Sequence, residues 1–453
     1  MATESIELAQ LTPTIESTET IPFLLVFVNS KSGGRSGANV FKKMSLLLSE
    51  QAVASKTFRG AVFDLANVSK NNLPQDVISK YLVENHNNVR LFVCGGDGTQ
   101  CWILSAIHSL NLNFVVPLGI MPLGTGNDLS QVYGWGKSCS SSFLRYNHVK
   151  KVITCQKVET LDLWRITFTM NVEDVTEEIK KWWPPGITRQ QQGGEGEGEG
   201  GGGEGEGESL GDNEQKSVDD GSEQHEEGEE KKTEEEKENT KVMMKVAKKE
   251  IYSGLLCNYF SLHGPTARVA LEFHKEREAR PGRFTSQAKN KCIYATKAAA
   301  ACCCTDCCCA PRLAGKISLS CDTSNTTTNT TNTTNDVMQE IDFPSHLCEL
   351  NLLNIQSYSG GEIRLPKQYA NDSRNDDGML CVVGLGDWFR TGCAVACSPC
   401  CRFTPLVRAK KVKIEILENL TAQFDGEPFL LPARTTIELS LAERGACVLN
   451  NKK

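Results

Sequence analysis

Residues 89–99, with the sequence Val-Arg-Leu-Phe-Val-Cys-Gly-Gly-Asp-Gly-Thr, decide the fold of this 453-residue chain. The first six are mostly apolar and predict a short buried strand, and paired glycines follow that strand directly. A helix is predicted from about Gln100 to Leu110. A buried strand that ends in glycines and continues into a helix is typical of an α/β domain with a largely parallel sheet.

Two further segments repeat this arrangement of strand, glycine-containing loop and helix. Residues 21–29 form a nearly unbroken apolar run that ends in the Gly-rich segment 29–37, and residues 38–48 have apolar positions at helical spacing. Residues 115–121 predict a third strand, which is followed by Pro-Leu-Gly-Thr-Gly-Asn-Asp at 122–128. The loops that follow parallel strands gather at one edge of the sheet, where ligands bind. The sequence therefore predicts one ligand site built from three loops.

The second half of the chain has a different texture, because from about Glu159 short runs of alternating apolar and polar residues replace the strand-and-helix units. Alternation of this kind predicts an antiparallel, β-rich second domain. The clearest such runs are residues 161–170, 350–356, 380–385, 411–417 and 435–441.

Two low-complexity segments interrupt this second domain. Residues from 193 to about 250 are rich in Gly, Glu and Lys, and residues 318–336 are rich in Ser, Thr and Asn. Neither composition buries enough apolar surface to offset the entropy of ordering, so both segments are predicted to be disordered. The expected domain plan is a disordered tail at 1–20, an α/β domain at 21–158, and a β-rich domain at 159–449 with disordered inserts at 186–250 and 312–337.

The charge is unevenly distributed. The chain carries a net charge of −7, but residues 193–240 hold 19 Asp or Glu against 4 Lys, which leaves the rest of the chain at about +8. A basic folded part suits nucleotide phosphates or an anionic membrane surface. The first 20 residues lack the pattern of a secretory signal, and no apolar run approaches the length of about 18 residues that spans a bilayer. We therefore expect a protein that stays inside the cell.

The 20 cysteines are scattered through predicted strands and helices, which in an intracellular protein indicates reduced thiols. Two groups are dense. The first could be an insert without a role, a site of S-acylation or a zinc thiolate site, and its sequence leaves these alternatives open. The groups are Cys302, Cys303, Cys304, Cys307, Cys308 and Cys309, and Cys393, Cys397, Cys400 and Cys401.

The loops at 95–99 and 124–128 carry the candidate chemistry of the first domain. Glycines at strand ends let backbone N–H groups approach phosphate oxygens closely. A carboxylate at that point repels phosphate unless it holds Mg²⁺ or takes a proton, which makes Asp97 a candidate for either role. In the later loop Thr125 and Asn127 can bind phosphate or ribose, and Asp128 can position metal-bound water. The alternative for the first loop is a plain Gly-Asp-Gly hairpin turn.

The second domain offers the segment Gln-Phe-Asp-Gly-Glu-Pro-Phe at 423–429. Asp425-Gly426 is a natural hairpin turn, and a plain hairpin is one interpretation of the segment. Glu427, held between Gly and Pro, is rigidly placed and is a candidate general base. The chain contains neither the P-loop pattern nor the dinucleotide-binding pattern, so any phosphate is held by another scheme.

Several long motifs resemble the catalytic domain of eukaryotic diacylglycerol kinases. They are Val93-Cys94-Gly95-Gly96-Asp97-Gly98-Thr99, Trp102-Ile103-Leu104, the stretch 118–128 and Gly134-Trp135-Gly136. Other segments resemble the accessory domain of that family. They are Asn258-Tyr259-Phe260-Ser261, residues 270–284, Lys289-Asn290-Lys291, Tyr358-Ser359-Gly360-Gly361 and Asp425-Gly426-Glu427. The resemblance covers about residues 21–162 and, outside the inserts, about 253–441.

The resemblance implies a lipid kinase that phosphorylates diacylglycerol with ATP and Mg²⁺. Its implied fold is an α/β catalytic domain of the phosphofructokinase and NAD kinase type, followed by a β-sandwich-like accessory domain. Asp97 would serve catalysis and the metal, Asp128 the metal, and Glu427 would be the base. The implied nucleotide contacts are Asn29, Ser32, Gly33, Gly34, Gly95, Gly96, Gly98, Thr99, Gly124, Thr125, Gly126 and Asn127.

The resemblance also sets out partners and alternatives. It implies a cytoplasmic protein that works peripherally on a membrane containing diacylglycerol and binds no nucleic acid, in a compact form without zinc-bound C1 modules. Ser30 and Thr266 depart from the family pattern, and Thr266 stands near the position of an acidic residue of the metal network. The alternatives are a sphingosine or ceramide kinase and an inactive membrane-associated scaffold.

Overall fold

The computed structural model describes the chain over residues 22–34, 36–54, 59–69, 72–139, 146–171, 174–182, 249–303, 312–323, 338–361, 363–366, 369, 373–386 and 403–452. The predicted tail at 1–20, residues 186–248 of the first insert and the cysteines at 304–309 and 393–401 lie outside these ranges. In the described part of the chain, no helix combines the length and apolar character needed to cross a membrane.

The first domain is a parallel α/β unit, as predicted. Its strands are β1 (Phe23–Val28), β2 (Arg59–Asp64), β3 (Val89–Gly95) and β4 (Leu118–Pro122). Its helices are α1 (Ser36–Ala54), α2 (Pro74–Glu84), α3 (Asp97–Ser109), α4 (Asp128–Val132) and α5 (Tyr146–Thr154). The strands pair in the order β2-β1-β3-β4 with parallel register throughout. Strands β3 and β4 are buried along their whole length, which explains their near-continuous apolar sequences.

The second half of the chain forms the antiparallel part of this sheet and a separate antiparallel sheet. The first group comprises β5 (Val158–Met170), β6 (Lys249–Leu256), β8 (Ile317–Asp322), β9 (Met338–Glu340), β15 (Lys411–Ile416) and β18 (Thr436–Leu449). The second sheet has the order β14 (Thr404–Ala409), β13 (Leu380–Gly386), β10 (Leu347–Leu353), β7 (Tyr259–His263), β16 (Leu420–Phe424) and β17 (Glu427–Leu431). The remaining elements are α6 (Glu177–Lys181), α7 (Gly264–Ala279), α8 (Gln287–Cys303), β11 (Ser357–Tyr358) and β12 (Ile363–Arg364).

The two sheets of the second domain pack face to face around one apolar core. Trp164 and Phe168 of β5 are buried together with Phe260 of β7 and Phe429 of β17. The Phe168 and Phe429 rings meet edge to face at 5.6 Å between centroids, a favoured aromatic geometry. This packing confirms the predicted β-sandwich-like second domain.

The large sheet is shared by both domains. Strand β18 pairs antiparallel with β5 and β15, and its Val448 pairs in parallel with Leu118 of β4. The end of the chain then packs on the first domain, where the Asn451 N–H donates to the Tyr133 carbonyl at 2.9 Å. The end of the predicted second domain therefore also extends the sheet of the first domain, through Val448.

The predicted disordered inserts also need correction at their edges. Strand β8 lies inside the insert predicted at 312–337, and β6 begins inside the one predicted at 186–250. Strand β8 pairs along its whole length with β15 and buries Ile317, Leu319 and Cys321 at alternating positions. The Ser- and Thr-rich composition concealed this alternation, which is the pattern of a half-buried strand.

Candidate active site

Three loops meet at the carboxyl edge of the parallel strands. Loop 1 comprises residues 29–34 after β1, loop 2 comprises residues 95–99 at the end of β3, and loop 3 comprises residues 123–127 after β4. Helices α1, α3 and α4 begin just after or within these loops. The amino ends of helices carry unpaired N–H groups and a positive partial charge, so this edge of the sheet is suited to anions.

The loops touch one another through backbone atoms. The Leu123 N–H donates to the Gly95 carbonyl at 2.9 Å. A Cβ atom placed on Gly124 would lie 2.6 Å from the Gly96 Cα, and one placed on Gly33 would lie 2.7 Å from the Leu123 carbonyl oxygen. Gly33 also has a φ of +63°, a backbone conformation that residues with a side chain rarely adopt. Glycine is therefore required for the three loops to form one continuous backbone cradle.

Side chains of the predicted nucleotide contacts complete the cradle. Asn29 Nδ2 donates to Thr99 Oγ1 at 3.3 Å, which links loop 1 to loop 2. Asn127 is buried, and its Nδ2 donates to the carbonyls of Gly124 at 2.7 Å and Lys137 at 2.9 Å. These two acceptors fix the amide orientation and leave Asn127 Oδ1 buried without a partner. A free acceptor here suits a ligand hydroxyl or a metal-bound water better than a phosphate oxygen.

The structure places the other predicted contacts on the same loops in different settings. Ser32, Gly96, Gly98, Thr125 and Gly126 are half-buried on the loops. Gly95 is buried, and a Cβ on it would lie 2.5 Å from Thr99 Oγ1. Gly34 is half-buried, and a Cβ on it would lie 2.5 Å from the Ser286 nitrogen.

Asp97 is the first residue of α3, and its carboxylate caps α4. The two carboxylate oxygens accept the backbone N–H groups of Asp128 and Leu129, both at 3.1 Å. Burial, followed by the charge of Asp128, raises the pKa of Asp97 to about 7. The carboxylate is therefore held in a fixed position and can exchange a proton near neutral pH.

Asp128, predicted as a metal ligand, joins the two domains. It is buried, and Oδ1 accepts the Ser357 hydroxyl at 2.5 Å and the Gly361 N–H at 3.1 Å, while Oδ2 accepts the Gly360 N–H at 3.0 Å. Burial raises the pKa of Asp128, and these hydrogen bonds oppose that rise. A carboxylate accepts about four hydrogen bonds, so these three leave Asp128 one position for a further ligand.

Asp97 and Asp128 face the same small space. A Cβ placed on Gly126 would lie 3.4 Å from Asp97 Oδ2 and 3.3 Å from Asp128 Oδ2. Two carboxylate oxygens beside one glycine are suitable ligands for a hard divalent cation such as Mg²⁺, which would also neutralise their mutual repulsion. The residues present therefore fit the metal that the sequence predicts.

Glu427 reaches the same site from the second domain. Its turn has positive φ at Asp425 and Gly426, the geometry of a tight hairpin. A Cβ placed on Gly98 would lie 3.4 Å from Glu427 Oε1, so the Glu427 carboxylate lies against loop 2. Gly98 directly follows Asp97 in the chain. Asp425 itself points away from the loops, since its carboxylate accepts the N–H groups of residues 257–259 at 2.7 to 3.1 Å.

A buried polar network supports the second-domain side of the site. The Glu349 carboxylate, fully buried in β10, accepts the Thr266 hydroxyl at 2.7 Å and the Tyr358 hydroxyl at 2.9 Å. Gln423 Nε2 donates to Thr266 Oγ1 at 3.2 Å. Because Tyr358 adjoins Ser357 in the chain, the network holds the segment that binds Asp128. Thr266, in the first turn of α7, therefore lies in this network and pairs with the Glu349 carboxylate of β10.

Helix α8 brings a fourth helix terminus to the loops. Ser286 precedes its first residue and caps it, because Ser286 Oγ accepts the Lys289 N–H at 3.2 Å. Gln287 Nε2 donates to the Gly124 carbonyl of loop 3. Since Ser286 also packs on Gly34, the amino end of α8 touches loops 1 and 3.

Sequence reasoning missed Glu349, Ser357 and Gln287. Glu349 and Asn351 stand at alternate positions of the otherwise apolar run 347–353, and this spacing indicates a strand with one polar buried face. No comparable signal marks Ser357 or Gln287, whose roles depend on contacts with residues more than 150 positions away.

Together these features bring the glycine backbone of three loops close to the carboxylates of Asp97, Asp128 and Glu427. The family model of the diacylglycerol kinase catalytic domain matches residues 23–159, and that of the diacylglycerol kinase accessory domain matches residues 255–428. The two ranges together span more than half of the chain. The chain belongs to the diacylglycerol kinase family.

Relatives of known name agree with this assignment. Diacylglycerol kinase iota of Homo sapiens is 27% identical over 440 residues, which cover 95% of this chain and 31% of that protein. Diacylglycerol kinase 2 of Arabidopsis thaliana is 27% identical over 421 residues, which cover 90% of this chain and 43% of that protein. The chain thus spans less than half the length of these relatives.

Among solved structures, a diacylglycerol kinase from Bacillus anthracis aligns over 96% of this chain and 98% of its own. The alignment has a TM-score of 0.44 and 11% sequence identity.

Proposed function

We propose that this chain is an ATP-dependent diacylglycerol kinase, which transfers the γ-phosphate of ATP to the free hydroxyl of 1,2-diacylglycerol and forms phosphatidic acid. The observation that carries the proposal is the convergence of three glycine loops beside Asp97 and Glu427, in a chain of the diacylglycerol kinase family.

The triphosphate would lie on the backbone cradle of loops 1, 2 and 3, at the amino ends of four helices. A cavity of about 160 Å³ beside loop 1 is a candidate site for the adenine ring of ATP. It is lined by Phe63, Asp64 and Asn67, and the Asp64 carboxylate accepts the Ser30 N–H of loop 1 at 3.2 Å. Strand β1 separates β2 from β3, so this cavity lies about 10 Å from loop 2, a span that a nucleotide can bridge.

The carboxylates Asp97 and Asp128 would hold Mg²⁺. When bound, this ion neutralises charge on the phosphates during transfer, and most of the remaining catalysis in such reactions is alignment. Asp128 keeps the two domains in register through Ser357 and Gly361. Asp97 remains fixed by its two backbone donors, and Asn127 Oδ1 is free to accept a ligand hydroxyl.

Glu427 is the proposed general base. Its carboxylate takes the proton of the lipid hydroxyl, the hydroxyl oxygen bonds to the γ-phosphorus, and the bond from that phosphorus to the bridging oxygen breaks as ADP leaves. The contact of Glu427 with loop 2 supports this role, because a carboxylate there would be close to a phosphate bound on the loops. Both carboxylate oxygens of Asp97 already accept backbone N–H groups of α4, so Glu427 is the preferred acceptor.

The proposed substrate lies in a membrane, so the protein would act peripherally at the cytosolic face. The net charge of about +8 outside residues 193–240 is compatible with an anionic lipid surface.

A single assay tests the activity against its alternatives. Purified protein receives labelled ATP, Mg²⁺ and mixed micelles that contain diacylglycerol, sphingosine or ceramide in turn. We expect label in phosphatidic acid. Label in a sphingoid phosphate or ceramide phosphate would replace the proposal by that activity, and binding of ATP with no labelled lipid would indicate an inactive scaffold.

A further inference from the structure

Cys101, Cys257 and Asp425 form a buried cluster where the two domains meet. Cys101 belongs to α3, Cys257 lies between β6 and β7, and Asp425 lies in the turn between β16 and β17. Their exposed fractions are 6%, 0% and 3%. The two sulfur atoms and one carboxylate oxygen all lie within 4.8 Å of one another. Three ligand atoms from three separate segments thus converge on one small volume.

The donor set suits a borderline-soft metal ion. Zinc binds thiolate sulfur, imidazole nitrogen and carboxylate oxygen, and structural zinc sites have four ligands in tetrahedral arrangement. The Leu255 carbonyl oxygen lies 3.1 Å from Cys101 Sγ and offers a further oxygen beside the cluster. Mg²⁺ and Ca²⁺, which prefer oxygen ligands only, fit two thiols poorly.

The charge at the cluster also favours such an ion. Burial raises the pKa of Asp425, and three backbone N–H donors oppose this rise by favouring the charged carboxylate. Binding of Zn²⁺ releases the two thiol protons, and two thiolates neutralise the ion. The net charge of the cluster is therefore the same before and after binding, which avoids the cost of burying an additional charge.

We propose that Cys101, Cys257 and Asp425 bind one zinc ion per chain. The ion joins α3, which begins at Asp97, to the turn that carries Glu427. Because the three ligands are buried, its role is structural: it fixes the distance between loop 2 and Glu427 and has no access to substrate. This site is separate from the proposed magnesium site and does not depend on the proposed kinase activity.

Metal analysis of the full-length protein tests the proposal. Zinc per chain is measured by mass spectrometry of the purified protein, for the wild type, Cys101→Ser, Cys257→Ser and Cys292→Ser. Cys292 is an exposed cysteine outside the cluster and serves as the matched control. We expect either cluster substitution to lower the zinc content by one equivalent, and the control to leave it unchanged. The decrease is the decisive quantity, since other cysteines of the chain can also hold metal.

A second measurement does not require the variants to fold. Wild-type protein loaded with Co²⁺ in place of zinc should show thiolate-to-cobalt charge-transfer absorption. Equal zinc content in the wild type and a folded cluster variant would overturn the proposal. So would a wild type with less than one equivalent of zinc, absence of the cobalt band, or a disulfide between Cys101 and Cys257 found by peptide mass mapping.

Discussion

Replacing Asp97 by Asn removes one charge at the point where loop 2 meets α4. The carboxylate accepts two backbone N–H groups, and an amide side chain keeps an oxygen for only one of them. A buried donor left unpaired costs about 1–3 kcal/mol. The substitution also removes the repulsion between the Asp97 and Asp128 carboxylates, which stabilises the folded protein and offsets part of this cost. We therefore expect Asp97→Asn to fold, with an unfolding free energy within about 2 kcal/mol of the wild type.

The same substitution should abolish turnover. Loss of a group that acts on the reacting phosphate in a water-poor site lowers kcat by at least about 100-fold. The assay follows labelled phosphatidic acid at saturating ATP and Mg²⁺, alongside thermal unfolding of the same samples. Asp342→Asn is the matched control, because Asp342 is an exposed aspartate just after β9, which lies at the far edge of the large sheet from β2.

The catalytic role of Asp97 and the small effect of its substitution on stability can each be refuted separately. A folded Asp97→Asn protein whose kcat stays within about tenfold of the wild type would remove Asp97 from the chemistry. A variant that loses far more stability than one hydrogen bond accounts for would show that the carboxylate is mainly a structural cap. An Asp342→Asn protein with equally low activity would show that the assay responds to something other than the site.

Three further substitutions test other parts of the account. Gly124→Ala places a Cβ 2.6 Å from the Gly96 Cα and should raise the KM for ATP at least about tenfold by distorting the cradle. Gly282→Ala is the control, because a Cβ there has no atom within 4 Å and should leave the KM unchanged. Equal KM values in the two variants would contradict the proposed cradle. Glu427→Gln should lower kcat by about 100-fold or more with the KM for ATP unchanged, and an unchanged kcat would exclude it as the base. Burial raises the pKa of Asp162 to about 6, so the folded protein retains a proton that the unfolded chain loses above about pH 4. Stability therefore declines by up to about 3 kcal/mol as the pH rises from 4 to 6, and urea unfolding of Asp162→Asn should lack this part of the decline; a parallel pH profile would refute it.

The parallel domain was predictable because its signal is local. Strands β1, β3 and β4 are short apolar runs, and each leads into glycines within the next few residues. The predicted loops lie at one edge of the sheet because neighbouring parallel strands have their carboxyl ends on the same side.

What the sequence does not show is which distant segments pair. Strand β18 pairs with β4, β5 and β15, and the sequence of β18 alone does not predict these pairings. The same is true of the Asp128 contact with Ser357, which spans 229 positions. Its loop predicted that Asp128 positions metal-bound water, and the family resemblance implied a role with the metal, whereas its hydrogen bonds to the second domain depend on tertiary packing.

Strand β8 illustrates a different limit. Its residues lie beside a Ser-, Thr- and Asn-rich segment whose composition indicates disorder, yet three alternating apolar side chains and a paired neighbour, β15, hold it in the sheet. Composition averaged over a window concealed a six-residue pattern of period two.

The most direct test of the central claim is a crystal structure of the protein with Mg²⁺ and a non-hydrolysable ATP analogue. We expect triphosphate density against the backbone of Gly33, Gly96 and Gly124, with a metal ion beside Asp97. Density for the nucleotide in another part of the molecule, with these three glycines free of ligand, would contradict it.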